Sequence, residues 1–158
     1  MIRISRITDY GIVLMAHLAA HEGGAPCNAR EVAESTQLPL PVVSKILKSL
    51  AREALLVSHR GAKGGYSLAR DPAEIRVTEM IGALDGPFGL TECATHPGTC
   101  PQEPSCDVRE PWQRINFAVH DALARITLAD LVAPLPGSIV PLESLGVDTS
   151  KIETPPTT

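Results

Sequence analysis

Cys93, Cys100 and Cys106 fall within one proline- and glycine-rich stretch, Cys93-Ala-Thr-His-Pro-Gly-Thr-Cys100-Pro-Gln-Glu-Pro-Ser-Cys106. Thiolates carried on an irregular loop can converge on one soft metal centre, whereas cysteines used only for packing would scatter along apolar faces. Thiolate sulfur suits an iron-sulfur centre and also zinc, and three cysteines supply one ligand fewer than either site generally needs. The spacing favours the first without excluding the second. Structural zinc sites tend to use ligand pairs two to four residues apart, and here six and five residues intervene. A metal-free thiol switch, in which two of the three thiols pair under oxidation, is the remaining chemistry. The fourth cysteine, Cys27, sits beside Pro26 far from the others and is expected to be a small semi-buried residue rather than a ligand.

The elements that must position this loop follow from pattern. At 158 residues and 44% hydrophobic, the chain can bury one core and suits one domain with an appendage. No stretch approaches the roughly 18 consecutive apolar residues of a membrane span. The start Met1-Ile-Arg-Ile-Ser-Arg-Ile-Thr-Asp-Tyr10 has no apolar run with a small-residue cleavage site, so a cytoplasmic chain with reduced thiols and no membrane partner is expected. Thr8 is expected to cap a first helix of about a dozen residues with Ile12, Met15, Ala16, Ala19 and Ala20 inward, ended by Gly23-Gly24. Asn28 and Glu31 form a capping-box pattern that opens a short helix to about Thr36. After Gln37-Leu38-Pro39, a third helix runs to about Glu53 with Pro41 in its first turn and Val43, Ile46, Leu47 and Leu50 inward.

A strand, Leu55 to Arg60, a turn, Gly61-Ala62-Lys63-Gly64-Gly65, and a returning strand, Tyr66 to Ala69, follow directly. Two helices joined by a short turn, with a hairpin behind them, spell a winged helix-turn-helix: mainly α with a small β-hairpin. In that architecture the second helix of the motif enters the major groove of double-stranded DNA and the wing lies against the backbone or minor groove. Pro41, Ser44, Lys45 and Lys48 on the third helix, with Arg60 and Lys63 on the wing, are the candidate DNA contacts. The net charge of −4 hides an asymmetry: residues 1–75 carry +2 and residues 76–158 carry −6. Between 39 and 64, Lys45, Lys48, Arg52, Arg60 and Lys63 face only Glu53, a local basic stripe that a phosphate backbone can feel.

Beyond Asp71-Pro72, a helix from Val77 to about Leu84 is expected with Val77, Met80, Ile81 and Leu84 inward. The cysteine loop follows from about Phe88, and then a long helix from about Asp107 to Arg125 carries Trp112, Ile115, Val119, Ala122, Leu123 and Ile126 along one stripe. An apolar stripe on a long C-terminal helix wants a partner, and a symmetric homodimer supplies one. The expected organisation is thus 1–75 as the DNA-binding winged helix-turn-helix, 76–133 as cluster-binding loop and dimerisation helix, and 134–158, rich in proline, serine and threonine, as a flexible tail. No Cys-x-x-Cys, phosphate loop, Gly-x-Ser-x-Gly or dinucleotide fingerprint is present, which argues against an enzyme.

Thr8-Asp9-Tyr10-Gly11, Val43-Ser44-Lys45-Ile46-Leu47, the wing Arg60-Gly61-Ala62-Lys63-Gly64-Gly65-Tyr66-Ser67-Leu68 and the three later cysteines resemble the winged-helix regulators typified by the Isc regulator. Leu90-Thr91-Glu92-Cys93 and Trp112-Gln113-Arg114-Ile115-Asn116 look closer still to its Suf-system branch, the regulators of iron-sulfur cluster assembly. The resemblance covers about residues 1–133. It implies a homodimeric, cytoplasmic transcription factor that binds an iron-sulfur cluster through Cys93, Cys100 and Cys106, a 2Fe-2S cluster in preference to a 4Fe-4S one. Such a factor represses cluster-assembly genes while the cluster is present. In the Isc regulators a histidine three residues after the last cysteine completes the site, and here that position is Arg109, which cannot ligate a metal. Related nitric-oxide-sensing members use an acidic residue at the start of the first helix of the other subunit, the place held here by Asp9. His96, between the first two cysteines, is the local alternative. A redox- or nitric-oxide-responsive regulator of the same fold and a cluster-free thiol- or zinc-binding adaptor remain alternatives.

Overall fold

Ser5 opens the first helix, three residues before the expected cap. The computed structural model describes residues 4–21, 24–61 and 64–134, and in it α1 spans Arg6–Ala20 with the Ser5 hydroxyl accepting from the Thr8 amide at 3.1 Å. Thr8 lies inside the helix, fully buried, its hydroxyl 3.4 Å from Ser5 Oγ. Serine caps helices better than threonine does, and Thr8, buried within the first turn, leaves the cap to Ser5. The buried face of α1 is Gly11, Leu14, Met15 and Leu18. Of the face read from sequence only Met15 is buried; Ile12, Ala16 and Ala19 sit at the margin and Ala20 is exposed, because Leu14 and Leu18 bring more apolar area to the core.

The second helix, α2, spans Ala29–Thr36 behind a complete capping box. Asn28 Oδ1 accepts from the Arg30 and Glu31 amides, each at 3.0 Å, and Glu31 Oε2 accepts from the Asn28 amide at 2.9 Å. Gln37, in the left-handed region at φ 56°, ends it. Pro39 precedes α3, Leu40–Arg52, whose Val43, Ile46, Leu47 and Leu50 are all buried. The wing is β1, Leu56–His59, paired antiparallel with β2, Gly65–Leu68, in the register Leu56 to Leu68 and His59 to Gly65. The first strand is shorter than expected by one residue at each end, and the second keeps its expected length but begins and ends one residue earlier.

Cys27 adds a short third edge to this sheet. Its amide donates to the Tyr66 carbonyl at 3.0 Å and its carbonyl accepts from the Tyr66 amide at 2.8 Å. Gly65 makes that approach feasible: a Cβ there would stand 2.4 Å from the Cys27 carbonyl oxygen and 2.5 Å from its carbon, backbone atoms with no rotamer to escape into. Gly65→Ala is therefore expected to lower stability by about 1–3 kcal/mol through overpacking, read as a lower urea midpoint with an unchanged slope.

A 3-10 turn, Pro72–Glu74, leads to α4, Val77–Asp85, which buries Val77, Met80 and Ile81. The loop that follows holds α5, Glu92–Thr95, and a second 3-10 turn, Glu103–Ser105, before α6, Arg109–Ala124. A further helix, α7, Leu128–Val132, was not expected. It returns the chain to the core: Leu128 donates to the Ile75 carbonyl at 2.8 Å, Val77 donates to the Ile126 carbonyl at 2.9 Å, and both Ile75 and Leu128 are fully buried. Arg76 Nη1 donates to the Ala124 carbonyl at 2.6 Å, satisfying a C-terminal carbonyl that α6 itself leaves open. No residue of α6 is buried. Lys63, and the expected tail beyond Pro134, lie outside the described residues.

Candidate functional site

Burial of one face of α3 dictates what the other shows. With Val43, Ile46, Leu47 and Leu50 in the core, Pro41, Lys45 and Lys48 are exposed and Ser44 is half-buried. Lys45 and Lys48 pair with no carboxylate among the described residues, and Arg52 meets Glu53 only at 3.8 Å. Such cations can meet phosphates without first breaking an ion pair. On the wing, Arg60 is exposed beside the turn. His59 Nε2 and Ser67 Oγ lie 2.9 Å apart across the hairpin, a polar contact the sequence reading did not single out. The signal available was the run Ser58-His59-Arg60 at the end of a strand.

The thiol loop is assembled from turns rather than from core. Cys93, Cys100 and Cys106 are half-buried free thiols, and no residue from Phe88 to Cys106 is buried. Cys93 Sγ lies 3.3 Å from Thr91 Oγ1. The Leu90 amide donates to Asn116 Oδ1 at 3.0 Å, tying the start of the loop to α6. Among the described residues no three histidine, cysteine, aspartate or glutamate side chains gather into a metal-sized group. Thus, in the single chain, Cys93, Cys100, Cys106, Asp9 and His96 do not supply three donors to one metal-sized group. Asp9 is exposed in the first turn of α1, and His96 is exposed with Nδ1 3.0 Å from Thr95 Oγ1. Arg109 is engaged elsewhere, its Nη2 2.8 Å from Glu103 Oε1. The donor chemistry nevertheless fits a soft metal centre: three unpaired, accessible sulfurs on one irregular loop.

Cys27 is a different kind of thiol. It is buried, and burial, aided by the Glu31 charge, pushes its thiol up from the ordinary value. The thiolate is the reactive and metal-binding form, so the fold holds Cys27 inert. In folded, reduced, metal-free protein near neutral pH, iodoacetamide is expected to label Cys93, Cys100 and Cys106 and to spare Cys27 until denaturant is added, as peptide mass spectrometry reads directly. The sign of the linkage follows: stability from the buried neutral thiol is present below the unfolded pKa and is lost as pH rises through the folded value.

Between the end of α4 and α6 lies an apolar cavity of about 650 Å³, lined by Ile81, Phe88, Leu90, Trp112, Ile115 and Val119 among others. The stripe read on the long helix therefore forms one wall of an open groove, leaving Trp112 43% and Ile115 46% exposed.

A helix-turn-helix with its wing in place, carrying exposed cations on the second helix, defines a winged-helix transcriptional regulator. The chain belongs to the Rrf2 family, described as iron-dependent transcriptional regulators, whose model matches residues 4–134. It is 32% identical over 131 residues to the HTH-type transcriptional regulator CymR of Bacillus subtilis, covering 83% of this chain and 90% of that one. It is 30% identical to the HTH-type transcriptional regulator IscR of Sodalis glossinidius, covering 83% and 79%. The solved structure of CymR, the global cysteine regulator of B. subtilis, superposes with a TM-score of 0.67 at 31% identity over 84% of this chain and 97% of that one. These relatives are regulators, not enzymes. No helix among the described residues is long and apolar enough to cross a membrane.

Proposed function

We propose that this protein is an iron-sulfur-cluster-sensing repressor of Suf-type cluster-assembly genes, acting as a homodimer on operator DNA. The observation that carries the proposal is three free, half-exposed thiols on the loop leading into α6, in a chain whose family is described as iron-dependent regulators. The exposed apolar residues of α6 support a second copy of the chain as its partner.

In this reading α3 enters the major groove, with Lys45 and Lys48 on phosphates and Pro41 and Ser44 near base edges, while Arg60 and Lys63 hold the wing to the backbone. A two-fold dimer presents two copies of α3, so the operator is an imperfect palindrome with half-sites about one helical turn, roughly 10 bp, apart or a little more. Cys93, Cys100 and Cys106 would hold the cluster, with Asp9 of the partner subunit as the fourth ligand. The bound cluster would supply a centre that oxidant or nitric oxide destroys, more readily because a hard carboxylate is a weak partner beside three soft thiolates. Asp9 sits on α1, which packs against α3. Releasing Asp9 therefore frees the element that supports the reading helix, and a small shift there spoils half-site spacing.

Anaerobic purification with an absorption spectrum and with iron and sulfide analysis tests the cofactor. A coloured protein containing both iron and sulfide is expected; stoichiometric zinc without iron overturns the assignment. A second reading, a cluster-free thiol-responsive regulator, is favoured by the failure of the three thiols to gather in the single chain. It predicts a colourless protein whose operator affinity follows thiol oxidation.

A further inference from the structure

Glu103 is the one carboxylate built into the thiol loop. Its side chain is only 9% exposed, and both of its oxygens are committed. One oxygen meets Arg109 Nη2 at 2.8 Å, and the other accepts from the Gly98 amide at 2.6 Å. Gly98 lies between Cys93 and Cys100 in a left-handed conformation, φ 86°, which glycine adopts without strain. Arg109 is the first residue of α6, three beyond Cys106. The backbone doubles the connection: the Glu103 amide donates to the Cys100 carbonyl at 3.0 Å and the Arg109 amide donates to the Cys106 carbonyl at 3.3 Å.

We propose that Glu103 and Arg109 are positioning residues that clamp the segment between Gly98 and α6, holding Cys100 and Cys106 in a fixed relation before any ligand arrives. Core packing does not hold this segment, because no residue from Phe88 to Cys106 is buried. Without the clamp the segment is a flexible loop whose ordering entropy falls due when its thiols are gathered. With it, part of that ordering is present in the free protein. A shielded carboxylate that meets the Arg109 guanidinium with one oxygen and accepts from the Gly98 amide with the other is suited to the task, since a hydrogen bond to an ionised group is stronger than a neutral one. Arg109 thus has a definite role at the loop's end without being a ligand.

The assignment of these thiols to a metal centre rests on the function proposed above; the clamp itself does not, and the test uses full-length, reduced, metal-free protein. Hydrogen exchange at Gly98 and iodoacetamide labelling rates at each cysteine are compared in wild type, Glu103→Ala, Arg109→Ala and Arg109→Lys. Glu103→Ala and Arg109→Ala are expected to speed exchange at Gly98 by about tenfold or more and to speed labelling of Cys100 and Cys106 several-fold. Cys93 labelling and the melting temperature should stay as in wild type, and Arg109→Lys, which keeps the charge, should restore most of the protection. Unchanged Gly98 exchange and unchanged labelling in both alanine variants overturn the clamp, as does equal acceleration at Cys93. A wild-type protein that takes up no iron and sulfide under anaerobic reconstitution overturns the iron-sulfur reading while the apo-protein rates still decide the clamp.

Discussion

Lys45→Ala combined with Lys48→Ala is expected to weaken binding to every DNA duplex, specific or not. Each lysine is exposed on the outward face of α3 with no carboxylate partner among the described residues. Two charge-assisted contacts are each worth about 1.5 kcal/mol or more, so the double variant should lose affinity on the order of a hundredfold. The diagnostic quantity is the salt dependence. Two phosphate contacts contribute roughly 0.9 each to the slope of log K against log salt concentration, so that slope should flatten by about 1.8. Ser44, nearer the base edges, should behave differently: its replacement should change which bases are preferred and leave the slope alone. Fluorescence anisotropy across a salt series separates the two behaviours, and an unchanged slope in the double lysine variant removes α3 as the DNA element.

Replacing any one of Cys93, Cys100 or Cys106 by alanine is expected to abolish the visible absorption of anaerobically prepared protein. An iron-sulfur cluster held by three thiolates and one weaker ligand has no spare donor. The fold should survive, because none of the three is buried and the loop contributes nothing to the core. Cys27→Ala should keep the colour, since Cys27 is buried against the wing rather than presented on the loop. Iron analysis together with far-UV circular dichroism distinguishes cluster loss from unfolding. A coloured, iron-replete Cys100→Ala protein would contradict the ligand set.

Much of the winged helix was legible because its signals are local. The Asn28-Glu31 capping box marks the start of α2, Pro39 and Pro41 mark the start of α3, and the glycines of the wing turn mark the hairpin. What escaped depends on distant partners. Thr127 caps α7 with the same kind of box, accepting from the Asp130 amide at 3.2 Å while Asp130 Oδ2 accepts from the Thr127 amide at 2.8 Å. Yet a helix of five residues gains its place from distant contacts, its packing against α1 and the pairing of Leu128 with Ile75, which no periodicity announces. The Cys27 and Tyr66 pair is likewise one residue wide on each side, too short for an alternating pattern.

The candidate site divides along the same line. The outward face of α3 could be read from helical spacing alone, since four buried residues determine where the lysines point. The thiols could be named but not assembled, because closeness in sequence fixes neither the direction of a side chain nor the conformation of a loop without core contacts. Glu103 carried no sequence signal at all: a glutamate between two prolines' reach of the loop reads as a solvated acid until its two partners, Gly98 and Arg109, are seen.

If the thiol loop controls what α3 does on DNA, operator affinity must follow cluster content. A single anaerobic preparation is divided, its cluster content is determined from iron and sulfide, half is stripped with a chelator under reducing conditions, and both halves are titrated against the same operator at one salt concentration. The cluster-containing dimer is expected to bind at least about tenfold more tightly, about 1.4 kcal/mol, with affinity following residual iron across partially stripped samples. Equal operator affinity in cluster-containing and stripped protein, both folded and dimeric, would contradict it.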